Sequence, residues 1–91
     1  MMGAVKAAAD VHLSDEIVVL QREDPITAAY YYMFRRDYRA ARRMADVASL
    51  SDNGKTRLLA EHVKGLVARG LNDWSEAANH FRAVIESNPE F

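Results

Sequence analysis

Apolar residues recur at helical spacing in the last third of the chain. They stand at i, i+3, i+4, i+7, i+10 and i+11, namely at Trp74, Ala77, Ala78, Phe81, Val84 and Ile85. This period predicts the apolar side of an α-helix. Asp73 is its expected N-cap. Asn88-Pro89 is expected to end it, because the residue before a proline avoids the helical conformation.

Three more helices are predicted before this one. Asp24-Pro25 begins the first, since aspartate caps helix starts and proline suits the first helical position, and the helix extends to about residue 36. A tight turn at Arg36-Asp37 leads into the second, which ends near residue 50. The third covers about residues 55–69, and Gly70 is its expected C-terminal stop.

Residues 1–21 form a separate N-terminal segment. The apolar positions 5, 8, 9 and 13 are compatible with one face of a short helix. Residues 17–20, Ile-Val-Val-Leu, suit either a helical turn or a short strand. We expect an irregular or helical segment that packs on the first of the four helices.

The four helices form two similar pairs, related by an offset of 36 residues. The offset aligns Ala29 with Gly65, Tyr32 with Ala68, Asp37-Tyr38 with Asp73-Trp74, Ala41 with Ala77, Ala45 with Phe81 and Ala48 with Val84. Small residues at such positions let two helices approach, and the apolar ones fill the space between them. Residues 51–55, Ser-Asp-Asn-Gly-Lys, form a turn-rich loop in which extra residues cost little.

Residues of the second pair resemble one copy of the tetratricopeptide repeat, a helix–turn–helix unit of about 34 residues. The match is carried by Gly65, Trp74, Ala77, Phe81, Val84 and Pro89. Residues 58–91 match the pattern better than residues 22–55, a degenerate copy in which Ala45 replaces an aromatic and Asn53 a proline. The resemblance implies an all-α fold of two tandem units. A generic antiparallel four-helix bundle is the alternative.

The resemblance also implies a concave groove lined by the first helix of each unit. Its lining would be Ile26, Tyr30, Met33, Phe34, Leu59, His62, Val63, Leu66 and Arg69. Aromatic and Met side chains of this kind suit an apolar or amphipathic peptide. The alternative is that many of them are ordinary core residues. Members of the family that clamp a chaperone's C-terminal carboxylate use cationic or amide side chains, whereas Ile26, Tyr30 and Val63 hold the matching positions here.

Five arginines form a basic ridge on the second predicted helix and the turn before it. They are Arg35, Arg36, Arg39, Arg42 and Arg43. Such a ridge could meet an acidic protein, a phosphate or anionic lipid. The alternative is a solvated helix face whose arginines pair with acids of residues 10–24.

The end of the second pair carries apolar residues that no following element covers in this sequence. We expect Ala78, Val84, Ile85 and Phe91 to form an association surface, because terminal repeats need a polar outer face to stay soluble. Burial in a homodimer, in a longer array or against a partner helix would each satisfy this expectation.

Composition narrows the function further. The 91 residues carry a net charge of −1, which argues against a dedicated nucleic-acid binder, and no cysteine, which excludes disulfides and thiolate metal sites. The three histidines lack metal-site spacing, and no nucleophile–base pair stands out, so we expect no enzyme activity and no cofactor. No apolar run is long enough for a membrane span, and no secretory signal is evident. A cytoplasmic location is favoured, and a periplasmic one stays open if a signal has been removed.

The sequence therefore predicts a protein–protein interaction module, acting as a scaffold, an adaptor or a small chaperone. It would bind a peptide or helix in the groove. One alternative is an assembly domain of a larger repeat, secretion or envelope protein that associates through its uncovered end. The other is a polyanion-binding protein that uses the basic ridge.

Overall fold

The computed structural model describes residues 16–90, which are all-α and contain no strand. Residues 16–23 form α1. The four helices expected from the sequence follow as α2 (Pro25–Phe34), α3 (Tyr38–Ala48), α4 (Gly54–Gly70) and α5 (Trp74–Ser87). The expected apolar face at positions 5, 8, 9 and 13 lies outside the described residues, as does Phe91. Residues 17–20 are helical, so the strand alternative for them is wrong.

Each of these four helices starts at a side-chain cap. The capping residues are Asp24, Asp37, Asn53 and Asp73. Asp37 Oδ1 accepts a hydrogen bond from the Ala40 amide at 3.2 Å, and Asp73 Oδ1 accepts one from the Glu76 amide at the same distance. A carboxylate satisfies amides that have no partner within the helix, and its charge suits the positive end of the helix dipole. The three aspartates therefore fix where the helices begin.

The connection from α2 to α3 has the bonds of a Schellman motif. Arg36 adopts a left-handed backbone conformation with φ 62°. Its amide donates to the Met33 carbonyl at 3.0 Å, and the Asp37 amide donates to the Tyr32 carbonyl at 2.9 Å. These bonds satisfy the last carbonyls of α2 and reverse the chain within three residues.

The connection from α4 to α5 repeats this geometry. Asn72 has φ 63°, its amide donates to the Arg69 carbonyl at 3.0 Å, and the Asp73 amide donates to the Ala68 carbonyl at 2.8 Å. Helix α4 ends at Gly70, within one residue of its expected end, but Asn72 and not the glycine makes the left-handed turn. Asparagine tolerates this conformation better than most residues do.

The core is built from small side chains. Helices α2 and α3 pack side by side, as do α4 and α5, and α4 also packs on α3 and α2. The buried cluster consists of Ala28, Ala29, Ala41, Met44, Ala45, Ala48, Ala60, Val63 and Val67. Ile17 and Leu20 of α1 pack against this cluster. Because alanine dominates at the contacts, neighbouring helices can approach closely.

Two glycines of α4 lie directly beneath aromatic rings. A Cβ added at Gly65 would stand 2.5 Å from the ring of Phe81 on α5. One added at Gly70 would stand 2.5 Å from the ring of Tyr38 on α3. These contacts leave no room for a methyl group, so both positions require glycine unless the ring moves.

Candidate interaction surface

A hydrogen bond joins α2 and α4 among the residues predicted to line a groove. The Tyr30 hydroxyl lies 2.8 Å from Nδ1 of His62. Burial raises the pKa of Tyr30, so the phenol keeps its proton at neutral pH. Burial, followed by the positive charge of Arg69, lowers the pKa of His62 below its usual value of 6.5. Tyr30 and a neutral His62 therefore share this hydrogen bond with no formal charge on either ring.

Four rings form a row across three helices, which we call the aromatic row. Phe34 stands 6.5 Å from Tyr30 between ring centroids, and His62 follows at 6.0 Å from Tyr30. Phe81 continues the row at 6.0 Å from His62. The spacing and tilt suit aromatic contacts. Helix α4 thus joins the aromatic groups of both helix pairs.

Exposure differs sharply along the aromatic row. Tyr30, His62 and Phe81 are half-buried, whereas Phe34 is 83% exposed. Phe34 is among the most exposed large apolar side chains of the described residues. Aromatic side chains are enriched among the residues that contribute most to binding at protein interfaces, so an exposed ring beside other rings is a candidate contact for a partner.

The predicted groove residues differ in their exposure to solvent: most are half-buried or exposed, and one is completely buried. Those that are half-buried, and so reachable from solvent, are Ile26, Tyr30, Met33, Leu59, His62 and Leu66. Phe34 and Arg69 are exposed. Val63 is completely buried, so its prediction as a groove contact is wrong: it belongs to the core that holds α2, α3 and α4 together. Phe81 was not expected in the groove, because helical spacing cannot show contacts between two helices.

The five arginines of the basic ridge have different surroundings. Arg42 Nε lies 3.5 Å from Asp46, and its Nη1 lies 3.4 Å from Glu76 on α5. Within residues 16–90 the acidic partners of Arg42 thus come from α3 and α5, not from the segment before α2. Arg42 thus forms a partly exposed ion pair between α3 of the first helix pair and α5 of the second.

The other ridge arginines face solvent. The Arg35 guanidinium lies 5.5 Å from the ring centroid of Tyr31, a cation–π contact. Arg36, Arg39 and Arg43 are exposed, and no carboxylate of the described residues lies within ion-pair distance of them.

A second polar contact joins α4 and α5. His80 hydrogen-bonds through Nδ1 to Glu61, and its Nε2 lies 3.2 Å from Glu76. The hydrogen bond with His80 is the largest of the causes that lower the pKa of Glu76. In the part of the chain that the structure describes, no group of three or more His, Cys, Asp or Glu residues is arranged to hold a metal.

The predicted association surface contains exposed residues and one buried residue. Ile85 is 60% exposed and Ala78 is exposed, but Val84 is buried against α4, so its inclusion is wrong. Trp74, which was assigned to the apolar stripe but not to this surface, is 63% exposed. The stripe of α5 therefore splits into an inner half that packs on α4 and an outer half that faces solvent.

Comparisons with known protein families, with curated proteins and with solved structures find no match to this chain. The resemblance to the tetratricopeptide repeat thus rests on the residues and geometry of this chain alone. Among the helices of residues 16–90, none is both long and apolar enough to cross a membrane.

Proposed function

We propose that this protein is a tetratricopeptide-like interaction module that binds an apolar peptide segment along α2 and α4. The repeat assignment is supported by two helix pairs whose connections share left-handed residues and aspartate caps at a 36-residue offset. Repeat units of this type present a shared binding face. The peptide would lie across the aromatic row.

One observation carries the binding proposal: Phe34 is 83% exposed at the outer end of the aromatic row. Tyr30 beside it is fixed by its hydrogen bond to His62. The partner therefore meets an exposed apolar anchor at Phe34 beside a preorganised ring at Tyr30, and preorganisation lowers the entropy lost on binding. Half-buried Leu59 and Leu66 continue the apolar surface along α4.

Peptide selection on the intact protein tests the proposal. A random display library is selected on the wild type, and the enriched peptides are titrated against Phe34→Ala. We expect a loss of affinity of about tenfold or more, as for an anchor residue. Leu50→Ala is the matched control, since Leu50 is also 83% exposed but lies beyond the end of α3. Equal binding to wild type and Phe34→Ala, or equal losses in both variants, would refute this binding site.

Tyr30 needs a more conservative probe than Phe34. Its ring packs against the core, so Tyr30→Ala would combine lost binding with lost stability. Tyr30→Phe removes only the hydroxyl that bonds His62. We expect this variant to fold and to bind the selected peptides more weakly, because His62 and the row lose their fixed geometry.

A second candidate function is supported by the exposed arginines of the basic ridge. Arg36, Arg39 and Arg43 have no carboxylate partner among the described residues. Heparin serves as a test polyanion. We expect its binding to fall steeply with salt and to be lost in the double variant Arg39→Glu and Arg43→Glu. Lys55→Glu with Arg82→Glu changes the net charge equally, so an equal loss there would assign the binding to net charge alone.

A further inference from the structure

The outer half of the α5 stripe is an apolar face that no described element covers. Trp74, Ala78 and Ile85 lie along one side of α5, and all three are exposed. We call this strip the open face. It stands apart from Phe34, which lies at the far end of the aromatic row.

The equivalent side of α3 shows what kind of element fits there. At the 36-residue offset Trp74 corresponds to Tyr38, which is half-buried because its ring lies on Gly70 of α4. Arg82 corresponds to Asp46, whose carboxylate lies 3.3 Å from Nζ of Lys64, also on α4. Helix α4 therefore covers Tyr38 and pairs with the still exposed Asp46 on α3, whereas no described element contacts the equivalent positions on α5 in this way.

Arg82 and the equivalent residue Asp46 carry opposite charges. The α3 face presents an acidic side chain to α4, whereas the open face presents Arg82. Among the described residues no carboxylate lies within ion-pair distance of Arg82, whose guanidinium reaches only the Asn79 amide oxygen, at 3.5 Å. A helix packed on α5 as α4 packs on α3 would pair with Arg82 if it carried an acidic residue at the position equivalent to Lys64.

We propose that the open face binds an α-helix of another polypeptide in the manner in which α4 packs on α3. The bound helix carries a glycine or another small residue beneath Trp74 and an acidic residue beside Arg82. Because Gly70 and Lys64 meet the equivalent positions, the acidic residue precedes the small one by six positions. This spacing is about 1.7 helical turns and sets the two residues about 120° apart around the helix axis, at the two edges of the face that meets α5.

The chain itself supplies the probe. A peptide of residues 54–70 reproduces α4, and the same peptide with Lys64→Glu carries the acidic residue that Arg82 requires. Trp74 is the only tryptophan of the protein and neither peptide contains one, so its fluorescence reports docking directly. We expect a saturable blue shift of its emission with the Lys64→Glu peptide. The unmodified peptide should bind about threefold or more weakly, as expected for the replacement of an attractive surface pair by a repulsive one.

Reversal of the charge at position 82 tests whether Arg82 decides which of the two peptides binds better. In the Arg82→Glu protein the preference should reverse, so that the unmodified peptide binds better. Absence of binding by the Lys64→Glu peptide at millimolar concentration, or a preference that does not reverse, would overturn the proposal. Phe34→Ala should leave these titrations unchanged, so that failure of the peptide groove and failure of the open face are distinguishable.

Self-association is the competing outcome. Sedimentation velocity of the protein alone would then show a dimer that Ile85→Asp abolishes and Leu50→Asp retains. That result would assign a second copy to the open face and overturn the proposal of a partner helix. A monomer in this experiment, together with the reversal of peptide preference, would establish it.

Discussion

The helix pairs α2–α3 and α4–α5 share their local design but differ in what surrounds them. Both turn through a left-handed residue, at Arg36 and Asn72, into an aspartate cap. Tyr38 then lies against Gly70, whereas Trp74 at the matching position is 63% exposed. The difference shows that local sequence fixes the turn, whereas exposure depends on whether a further helix packs on the pair.

The largest expected effect contrasts the two equivalent aromatic residues. Tyr38→Ala should lower the free energy of unfolding by about 1.5–3 kcal/mol, because the ring is removed from its contact with α4. Trp74→Ala should change it by no more than about 0.5 kcal/mol, because Trp74 contacts solvent. Urea unfolding followed by circular dichroism measures both without a tryptophan signal. Equal losses at the two positions would contradict the account.

Insertion of a methyl group beneath Phe81 should lower the free energy of unfolding slightly less than Tyr38→Ala does. Gly65→Ala would place its Cβ 2.5 Å from that ring, and overpacking of this kind destabilises by about 1–3 kcal/mol. Gly54→Ala is the matched control, because its Cβ would meet only the flexible end of Arg57, at 3.5 Å. We expect this control to stay within about 0.5 kcal/mol of the wild type. A Gly65→Ala protein as stable as the control would show that Phe81 does not pack on α4.

The smallest expected change in stability comes from glycine substitutions at the two left-handed residues, Arg36 and Asn72. Arg36→Gly should stabilise the protein by about 0.5–1 kcal/mol, because the relief of backbone strain exceeds the extra chain entropy of glycine. Asn72→Gly should change the stability less, since asparagine already tolerates this conformation. Paired urea midpoints provide the measurement. Stabilisation at Asn72 greater than at Arg36 would mean that the two connections are not equivalent.

The helices could be predicted from the sequence because their signals are local. Asp24, Asp37 and Asp73 each mark a start, and the helical period of the apolar residues is clear between them. Gly70 marks the end of α4 as expected, but it is not the left-handed residue that often follows a helix. Here it is required inside α4, where it makes room for Tyr38.

The interaction surface was less accessible to sequence reasoning, because it depends on how helices pack. Tyr30 and His62 lie 32 residues apart in the chain and meet only because α2 packs against α4. Val63 shares the apolar character of the groove positions, but it points into the core and is fully buried. The period of a helix identifies its apolar side, whereas neighbouring helices decide which part of that side remains open.

Moving the tryptophan between the two equivalent positions tests the central claim most directly. The wild type is compared with the variant Trp74→Phe with Tyr38→Trp by acrylamide quenching of fluorescence at high dilution. Circular dichroism confirms that both proteins fold. If α4 covers Tyr38 of the first pair and no element within residues 16–90 covers Trp74 of the second, Trp74 should be quenched several-fold faster than the tryptophan introduced at position 38. Equal quenching in the two folded proteins would contradict the distinction between a covered pair and an open one.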